Sequence, residues 1–189
     1  NFNPVMQSMY LDDIDEEEIS MIIKGLKNSS PGIDGICPSI IKHLSKEITP
    51  FLCHMIRRIY MTSIYPSCFK TALVIPINKS GNKSSMNDYR PVAMLTIFNK
   101  IVEKSLYSRI YDFVFNKAKI MSPYQFGFRA KSGTETAALE LVEQIRSNLD
   151  NKLKVSAVCM DIRKAFDLVD IDCLIHTLEL SGIRGNPLK

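Results

Sequence analysis

The sequence lacks the features that would place it in a membrane or a secreted class of protein. No apolar stretch reaches the roughly 18 residues of a membrane-spanning helix, because charged side chains interrupt every run. The first residues are acidic and contain no basic segment followed by an apolar one, which is not the pattern of a secretory signal. We therefore expect an intracellular protein, in the nucleus or the cytoplasm, that is not secreted and contacts no membrane.

Cysteine and histidine are too scattered for a disulfide framework or a zinc site. The five cysteines are odd in number, no two of them are closer than 14 residues, and no Cys-x-x-Cys pair occurs. The three histidines, His43, His54 and His176, do not complete a zinc pattern. We expect the cysteines to be small apolar side chains in a reducing compartment.

Positive charge is concentrated in the middle of the 189-residue chain. Residues 57–131 carry 13 Lys/Arg and 3 Asp/Glu, a net charge of +10, whereas residues 1–56 carry −4 and residues 132–189 carry −2. A block this basic favours a polyanion as partner, because Lys and Arg contacts to phosphates release counterions. The alternative is a solvated surface whose lysines maintain solubility.

The first half of the sequence predicts a helix-rich α/β fold of the α+β type with one short antiparallel hairpin. An acidic run at residues 12–18 precedes apolar side chains at helical spacing, and a Thr-Pro pair at 49–50 is expected to open the next helix with proline at its first position. Residues 72–77 and 90–95 are expected to pair as a hairpin with a basic tip, and Pro76 indicates an edge strand.

The second half predicts two amphipathic helices, a buried strand and a closing helix. A capping box at residues 132–135 opens the second of the two helices, and residues 155–160 are an apolar run typical of a buried strand. The closing helix is expected to be capped by Asp172 and to end at Gly182. The side chains expected to point inward are Phe98, Ile101, Val102, Leu106 and Ile110, then Ala138, Leu141, Val142, Ile145 and Leu149.

Asp161 stands directly after the predicted buried strand, at the start of a turn. Enzymes of phosphoryl transfer need carboxylates on rigid elements, because two Mg²⁺ ions about 3.5–4 Å apart contact the attacking and leaving oxygens. Magnesium prefers oxygen ligands and usually takes one or two carboxylates. The alternative is an aspartate that caps the turn, and from Asp161 alone that structural role is favoured.

Four motifs occur in order along residues 29–169. They read Ser-Ser-Pro-Gly-Ile-Asp-Gly at 29–35, Val-Ile-Pro-Ile-Asn-Lys at 74–79 with Asp-Tyr-Arg-Pro-Val at 88–92, Tyr-Gln-Phe-Gly-Phe-Arg at 124–129 with Ser132 and Thr134, and Asp-Ile-Arg-Lys-Ala-Phe-Asp at 161–167. Each motif alone is moderately specific, and four in order are hard to obtain by chance. In these motifs the chain resembles the reverse transcriptases of non-LTR retrotransposons, over nearly its whole length beyond residue 12.

The resemblance implies a right-hand polymerase fold with fingers and an incomplete palm. Residues 1–66 would form a helical N-terminal extension of the fingers, residues 67–154 the fingers, and residues 155–189 the first strand and helix of a truncated palm. The first residue is Asn1 and not Met, which leads us to expect a fragment. We expect the chain to contain no aromatic-x-Asp-Asp sequence, the second carboxylate motif of such palms, and therefore to be inactive in isolation.

The resemblance also assigns residues to nucleotide binding. Asp161 would be the catalytic carboxylate that binds Mg²⁺, and Phe166 would lie under the sugar and exclude a 2′-hydroxyl. Backbone N–H groups from Ile162 to residue 165 would hold the triphosphate, as turns do for anions. Lys79 and Arg90 would hold the phosphates from the fingers, the arginine by its bidentate fork and the lysine as a point charge.

Template binding is assigned by the same resemblance to Gln125, Gly127 and Arg129. Each assignment has a structural alternative: a core aromatic for Phe166, a solvated hairpin face for the two cations, and a tight turn for Gly127. Structural roles are expected for Asp34, Gly35 and Asp167.

The implied function is RNA-directed DNA polymerisation, a nucleotidyl transfer. Its partners would be an RNA template, a DNA primer, deoxynucleoside triphosphates and the remainder of the palm and thumb, with Mg²⁺ as cofactor in the complete enzyme. The competing class is a non-catalytic nucleic-acid-binding remnant of such an element, which would keep the basic fingers and perform no chemistry.

Overall fold

The computed structural model describes residues 4–79, 83–162 and 164–189, and it combines helices with one small sheet. The helices are α1 (Glu16–Lys24), α2 (Pro38–His43), α3 (Ser45–Thr62), α4 (Ile97–Tyr111), α5 (Thr134–Asp150) and α6 (Ile171–Leu180), and the antiparallel strands are β1 (Leu73–Asn78) and β2 (Tyr89–Met94). A π-helical turn over Asp112–Lys117 prolongs α4. The expectation of a helix-rich α/β chain with one hairpin is confirmed. None of the helices in these residues has the length and apolarity of a membrane span.

The main core lies between α1, α3 and α4. Each of these helices presents one apolar face, as the spacing of three and four residues in the sequence predicts. Burying one such aliphatic side chain contributes about 1.5–3 kcal/mol, so this cluster supplies much of the stability. Its buried members include Ile19, Ile23, Leu52, Ile56, Ile59, Ile97, Ile101 and Val102.

Helix α1 begins where the acidic run predicts. The Asp15 carboxylate accepts a hydrogen bond of 2.7 Å from the Glu18 N–H, and three glutamates occupy the first turn, where the helix dipole favours negative charge. The expected start of the next long helix at residues 49–50 is wrong. Helix α3 starts at Ser45 and contains Pro50, whose missing N–H removes only one hydrogen bond near the helix start.

The turn that follows α1 is fixed against the base of the hairpin. The Asp34 carboxylate accepts a hydrogen bond of 3.2 Å from the Ile36 N–H, and Gly35 has a φ of +68°, so both residues form the turn as expected. A Cβ on Gly32 would lie 2.8 Å from the Leu95 carbonyl oxygen, a contact only glycine permits. The Ser-Pro-Gly-Ile-Asp-Gly motif therefore joins the helical core to the end of β2.

Helix α5 contradicts the expected inward face. Leu141, Val142 and Leu149 are all exposed, and none of its residues is buried. The predicted capping box is also wrong, because the helix begins at Thr134 and the Thr136 hydroxyl accepts from the Gly133 N–H at 2.8 Å. Amphipathic spacing specifies an apolar face, and the described residues provide no layer to cover it.

The predicted buried strand at residues 155–160 is not formed. These residues have no strand structure and are exposed. A strand needs a neighbour for its backbone N–H and C=O groups, and the sheet in the described residues contains only β1 and β2. Residues 155–160 are apolar as predicted, but no strand among the described residues pairs with them.

The C-terminal helix α6 and the residues after it are attached to the N-terminal segment. Asp170, and not the expected Asp172, caps α6, and its hydrogen bond from the Cys173 N–H lowers the pKa of the Asp170 carboxyl. Gly182 follows the helix with a φ of +93°, and its carbonyl accepts from the Met9 N–H at 2.7 Å. Ile183 then packs against Met9 and Phe113 in a second, smaller apolar cluster.

Candidate active site

The hairpin places the two predicted phosphate-binding cations on one face. Ile77 is paired with Arg90, and the Lys79 N–H donates to the Asp88 carbonyl at 2.7 Å, which continues the ladder by one residue beyond β1. Because side chains alternate along a strand, Lys79 and Arg90 project to the same side and are diagonal neighbours. Both side chains are exposed. The turn expected around Gly81 lies outside the described residues.

Neither of these two cations forms an ion pair within the described residues. Within residues 4–79, 83–162 and 164–189, the Lys79 ammonium and the Arg90 guanidinium have no ion-pair partner. The apolar side chains beside them on the hairpin, such as Ile75 and Ile77, are also exposed. This face of the hairpin therefore presents two unneutralised positive charges, which is the chemistry that phosphate groups require.

The loop that contains the predicted template-binding residues is held together by its own contacts. The Gln125 side-chain amide donates to the Gly127 carbonyl at 3.2 Å, and Arg129 reaches the Pro123 carbonyl at 3.4 Å. The Tyr111 hydroxyl accepts from the Ala130 N–H at 2.8 Å, which attaches the loop to the end of α4.

The glycine of this loop is not required by local backbone geometry. Gly127 has no positive φ, whereas its neighbour Phe128 has a φ of 62°. A Cβ on Gly127 would meet nothing closer than 3.9 Å. The described structure therefore gives no local backbone reason for glycine at position 127.

Phe128 of this loop contacts Phe166 of the Asp-Ile-Arg-Lys-Ala-Phe-Asp motif. The ring centroids are 6.3 Å apart with an interplanar angle of 90°, an edge-to-face pair. The Phe166 ring is 80% exposed, so it is not a core aromatic in this structure. Phe128 was not singled out from the sequence, although its place between Gly127 and Arg129 is the signal that could have found it. The contact brings the third and fourth motifs together.

The Asp161 segment is open to solvent. Asp161 and Ile162 are both exposed, and Lys164 adopts a φ of 55° in the turn that leads to Phe166. The Asp167 N–H donates to the Lys164 carbonyl at 3.0 Å and closes this turn. Position 163, whose N–H belongs to the expected triphosphate cradle, lies outside the described residues.

Asp161 fits one ligand of a magnesium site and no more. Its exposed carboxylate is a hard oxygen donor of the kind Mg²⁺ takes, usually with substrate phosphates. No group of three His, Cys, Asp or Glu side chains that could hold a metal occurs in the part of the chain that the structure describes. Further oxygen ligands have to come from a bound triphosphate or from another carboxylate.

The expectation that the chain contains no aromatic-x-Asp-Asp string is wrong, because one occurs at residues 10–13, ahead of the four motifs and not after Asp161. The structure gives its aspartates structural contacts. The carbonyls of Asp12 and Asp13 accept hydrogen bonds from Arg109 at 2.9 Å, and the Asp13 carboxylate lies 3.2 Å from Arg57. The string therefore belongs to the helical core and does not supply the missing metal ligands.

The chain has the sequence pattern of a nucleic-acid polymerase, with exposed cations on its hairpin and an aspartate five residues ahead of a phenylalanine. The family model described as "Reverse transcriptase (RNA-dependent DNA polymerase)" matches residues 77–187. This chain belongs to the reverse transcriptase family, and its relatives are the polymerases of non-LTR retrotransposons. The expectation drawn from the four motifs is confirmed.

Three relatives show the extent of the similarity. The chain is 32% identical over 93% of its length to the probable RNA-directed DNA polymerase from transposon BS of Drosophila melanogaster, and covers 20% of that protein. It is 27% identical over 88% to the RNA-directed DNA polymerase from mobile element jockey of the same species, and covers 18% of it. It is 28% identical over 90% to the Pol polyprotein of the type-1 retrotransposable element R2 of Popillia japonica, and covers 22% of it. The chain thus spans about a fifth of the length of these relatives.

Proposed function

We propose that this chain is the fingers and the beginning of the palm of an RNA-directed DNA polymerase from a non-LTR retrotransposon. Residues 1–66 form the N-terminal extension of the fingers, residues 67–154 the fingers, and residues 155–189 the start of the palm. The observation that carries the proposal is the Phe128–Phe166 contact, which joins the template loop to the turn after Asp161. The substrates are an RNA template, a DNA primer and deoxynucleoside triphosphates, inside the cell in the nucleus or cytoplasm.

The hairpin binds the triphosphate of the incoming nucleotide. Arg90 can hold two phosphate oxygens with its planar fork, while Lys79 contributes a point charge from the same face of the hairpin. Backbone N–H groups from Ile162 onward add donors to the same anion. These contacts orient the nucleotide, and orientation is the larger part of catalysis in phosphoryl transfer.

The turn after Asp161 supplies the metal ligand and the sugar contact. Bound Mg²⁺ would neutralise charge on the phosphates during in-line attack by the primer 3′-hydroxyl with pyrophosphate as leaving group. The Asp161 carboxylate would be one ligand of that ion in the complete enzyme. Phe166 lies under the sugar and excludes a 2′-hydroxyl by its bulk, and its exposed ring is free to do so. Gln125, Gly127 and Arg129 contact the template backbone.

The isolated chain is expected to perform no polymerisation. A single carboxylate does not replace the hydration shells of two Mg²⁺ ions, and no aromatic-x-Asp-Asp follows Asp161. The second candidate function is a nucleic-acid-binding remnant without chemistry, which the net charge of +10 in residues 57–131 would equally support.

A chimera separates these two functions. Residues 1–189 would replace the matching segment of the transposon BS polymerase, and extension of a DNA primer on an RNA template would be measured with Mg²⁺. The polymerase proposal predicts extension that is lost in Asp161→Ala and retained in the matched surface variant Asp172→Ala. Extension that persisted in Asp161→Ala would refute the assignment of Asp161. Mg²⁺-dependent extension by the 189-residue chain alone would contradict its expected inactivity.

A further inference from the structure

A cleft of about 500 Å³ lies between the end of α1 and the outer face of α4. Lys27, Lys100, Lys104 and Tyr107 are among its lining residues. None of the residues to which the proposed function assigns nucleotide or template contacts lines this cleft. Its combination of ammonium groups and an aromatic ring is therefore a separate chemical feature of the molecule.

The lysines of α4 are held over the cleft by neutral partners. Lys100 and Lys104 are four residues apart and so share one face of the helix. The Lys100 ammonium donates to the Ser29 hydroxyl at 3.2 Å, and the Lys104 ammonium donates to the Gly25 carbonyl at 3.4 Å. Both hydrogen bonds are long, at 3.2 and 3.4 Å, so an anionic oxygen would be a better acceptor for each ammonium group.

The charge of the cleft is positive. Three lysines line it, and Glu103 is the one carboxylate among its lining residues. The Glu103 carboxylate accepts from the Asn99 amide at 3.4 Å, and none of the three ammonium groups forms an ion pair within the described residues. Two positive charges therefore remain uncompensated for a ligand.

Tyr107 presents a supported aromatic face beside these charges. Its side chain is 60% exposed. The ring leans on Tyr111 at a centroid distance of 5.6 Å, and Tyr111 stacks on Phe115 at 4.4 Å. The contact with Tyr111 limits the motion of the Tyr107 ring. A base that stacks on the outer face of Tyr107 would therefore cost little further loss of side-chain conformational entropy.

The two walls of the cleft are fixed relative to each other. Gly32 packs directly on the backbone of Leu95 and Thr96 at the start of α4, so the segment that carries Lys27 and Ser29 is held beside that helix. The first sequence motif thus connects the two walls of the cleft.

We infer that this cleft binds a single-stranded polynucleotide, with phosphates on Lys27, Lys100 and Lys104 and one base stacked on Tyr107. Charged side chains that follow a sugar-phosphate backbone beside an aromatic platform are the combination that single strands bind without sequence preference. The inference rests on the proposed function for the presence of such a strand, and it adds a contact surface on the N-terminal extension of the fingers.

Fluorescence anisotropy with labelled twelve-nucleotide oligo(U) RNA and oligo(dT) DNA tests the inference on the 189-residue chain. Lys100→Gln/Lys104→Gln removes the two charges of α4, and Lys42→Gln/Lys46→Gln removes a pair of the same spacing elsewhere. Each lost phosphate contact lowers the salt slope of single-strand binding by about 0.7, so the first pair should lower it by about 1.4. The unmodified chain should then lose about sevenfold more affinity than that variant between ~50 and ~200 mM salt.

The controls separate charge, stacking and folding. Lys100→Arg/Lys104→Arg should restore the salt slope. Tyr107→Leu should weaken binding about fivefold or more without changing the salt slope, and Tyr10→Leu, at another exposed tyrosine, should leave the affinity unchanged. Stronger binding of RNA than of DNA would identify the strand as template. Equal slopes for the two Lys→Gln pairs would overturn the inference. Because the assay contains no catalytic step, it can fail while the chimera still extends primers, and the reverse.

Discussion

Removal of the Arg109 side chain should strongly destabilise the helical core. Its guanidinium makes two hydrogen bonds to the Glu18 carboxylate, at 2.7 and 2.9 Å, and donates to the Asp12, Asp13 and Ser105 carbonyls. One side chain therefore joins α4 to α1 and to the segment before it. The hydrogen bond with Glu18 raises the pKa of Arg109, so the guanidinium stays charged at every accessible pH.

The expected cost follows from the exposure of the two partners. Removing one member of a buried ion pair costs about 3–5 kcal/mol, because the other charge is left buried without a partner. The Arg109 side chain is 9% exposed and that of Glu18 is 28% exposed, so water can partly solvate the carboxylate that remains. We therefore expect Arg109→Met, which keeps most of the aliphatic volume, to lower the free energy of unfolding by about 3 kcal/mol.

Urea denaturation followed by circular dichroism measures this change. With a slope of about 2 kcal/mol per molar urea, the midpoint of Arg109→Met should fall by about 1.5 M. Lys117→Met removes the cation of an exposed pair, with the ammonium 3.1 Å from the Asp112 carboxylate, and should leave the midpoint nearly unchanged. If the two variants shifted the midpoint equally, the argument that Arg109 holds the core together would be refuted.

Three further predictions concern the pH dependence and the packing. Burial raises the pKa of the Tyr60 hydroxyl in the folded protein. The stabilising contribution of Tyr60 is therefore complete below the pKa of the unfolded chain, near 10, and declines as pH rises through the folded pKa. In urea melts at a series of pH values, Tyr60→Phe should reduce this loss of stability at alkaline pH. Gly182→Ala places a Cβ 2.4 Å from the Gln7 carbonyl oxygen at a φ of +93° and should cost about 2 kcal/mol or more by thermal melting, whereas Gly127→Ala should leave the melt unchanged. Ile101→Ala in the buried face of α4 should lower the free energy of unfolding by about 3 kcal/mol, and Val142→Ala on α5 by less than about 0.5 kcal/mol. If the two variants lost similar stability, the apolar face of α5 would be covered in solution.

Local signals in the sequence predicted the elements that depend on neighbouring residues. The acidic run located the start of α1 because Asp15 and the three glutamates act on the helix N-terminus directly. The two apolar runs on either side of a polar turn predicted the hairpin, and the observed pairing of Ile77 with Arg90 agrees with the predicted ranges. The start of α3 was missed because Pro50 was taken as a first-turn residue, while Ser45 to Thr49 had already formed the first turn.

Burial was predicted correctly only where a partner exists in the chain. Ile101 and Val142 both stand on apolar helix faces with the same spacing, yet the first is fully buried and the second is exposed. The run at 155–160 fails for the same reason, since an apolar strand without a neighbour has no ladder to join. The candidate site was predicted residue by residue from the motifs, and its Phe128–Phe166 contact was not, because no pattern within either motif refers to the other.

The sequence by itself determined the family and the hairpin, because motifs, apolar runs and turn chemistry are properties of neighbouring residues. The candidate site residues are predictions from the same motifs. Only the tertiary structure decided which apolar faces are covered, that the Tyr-Leu-Asp-Asp string at 10–13 belongs to the Arg109 network, and that Lys100, Lys104 and Tyr107 line a cleft with Lys27. The last two outcomes depend on segments 70 or more residues apart in the chain, and their distance in space is set by packing that no local pattern encodes.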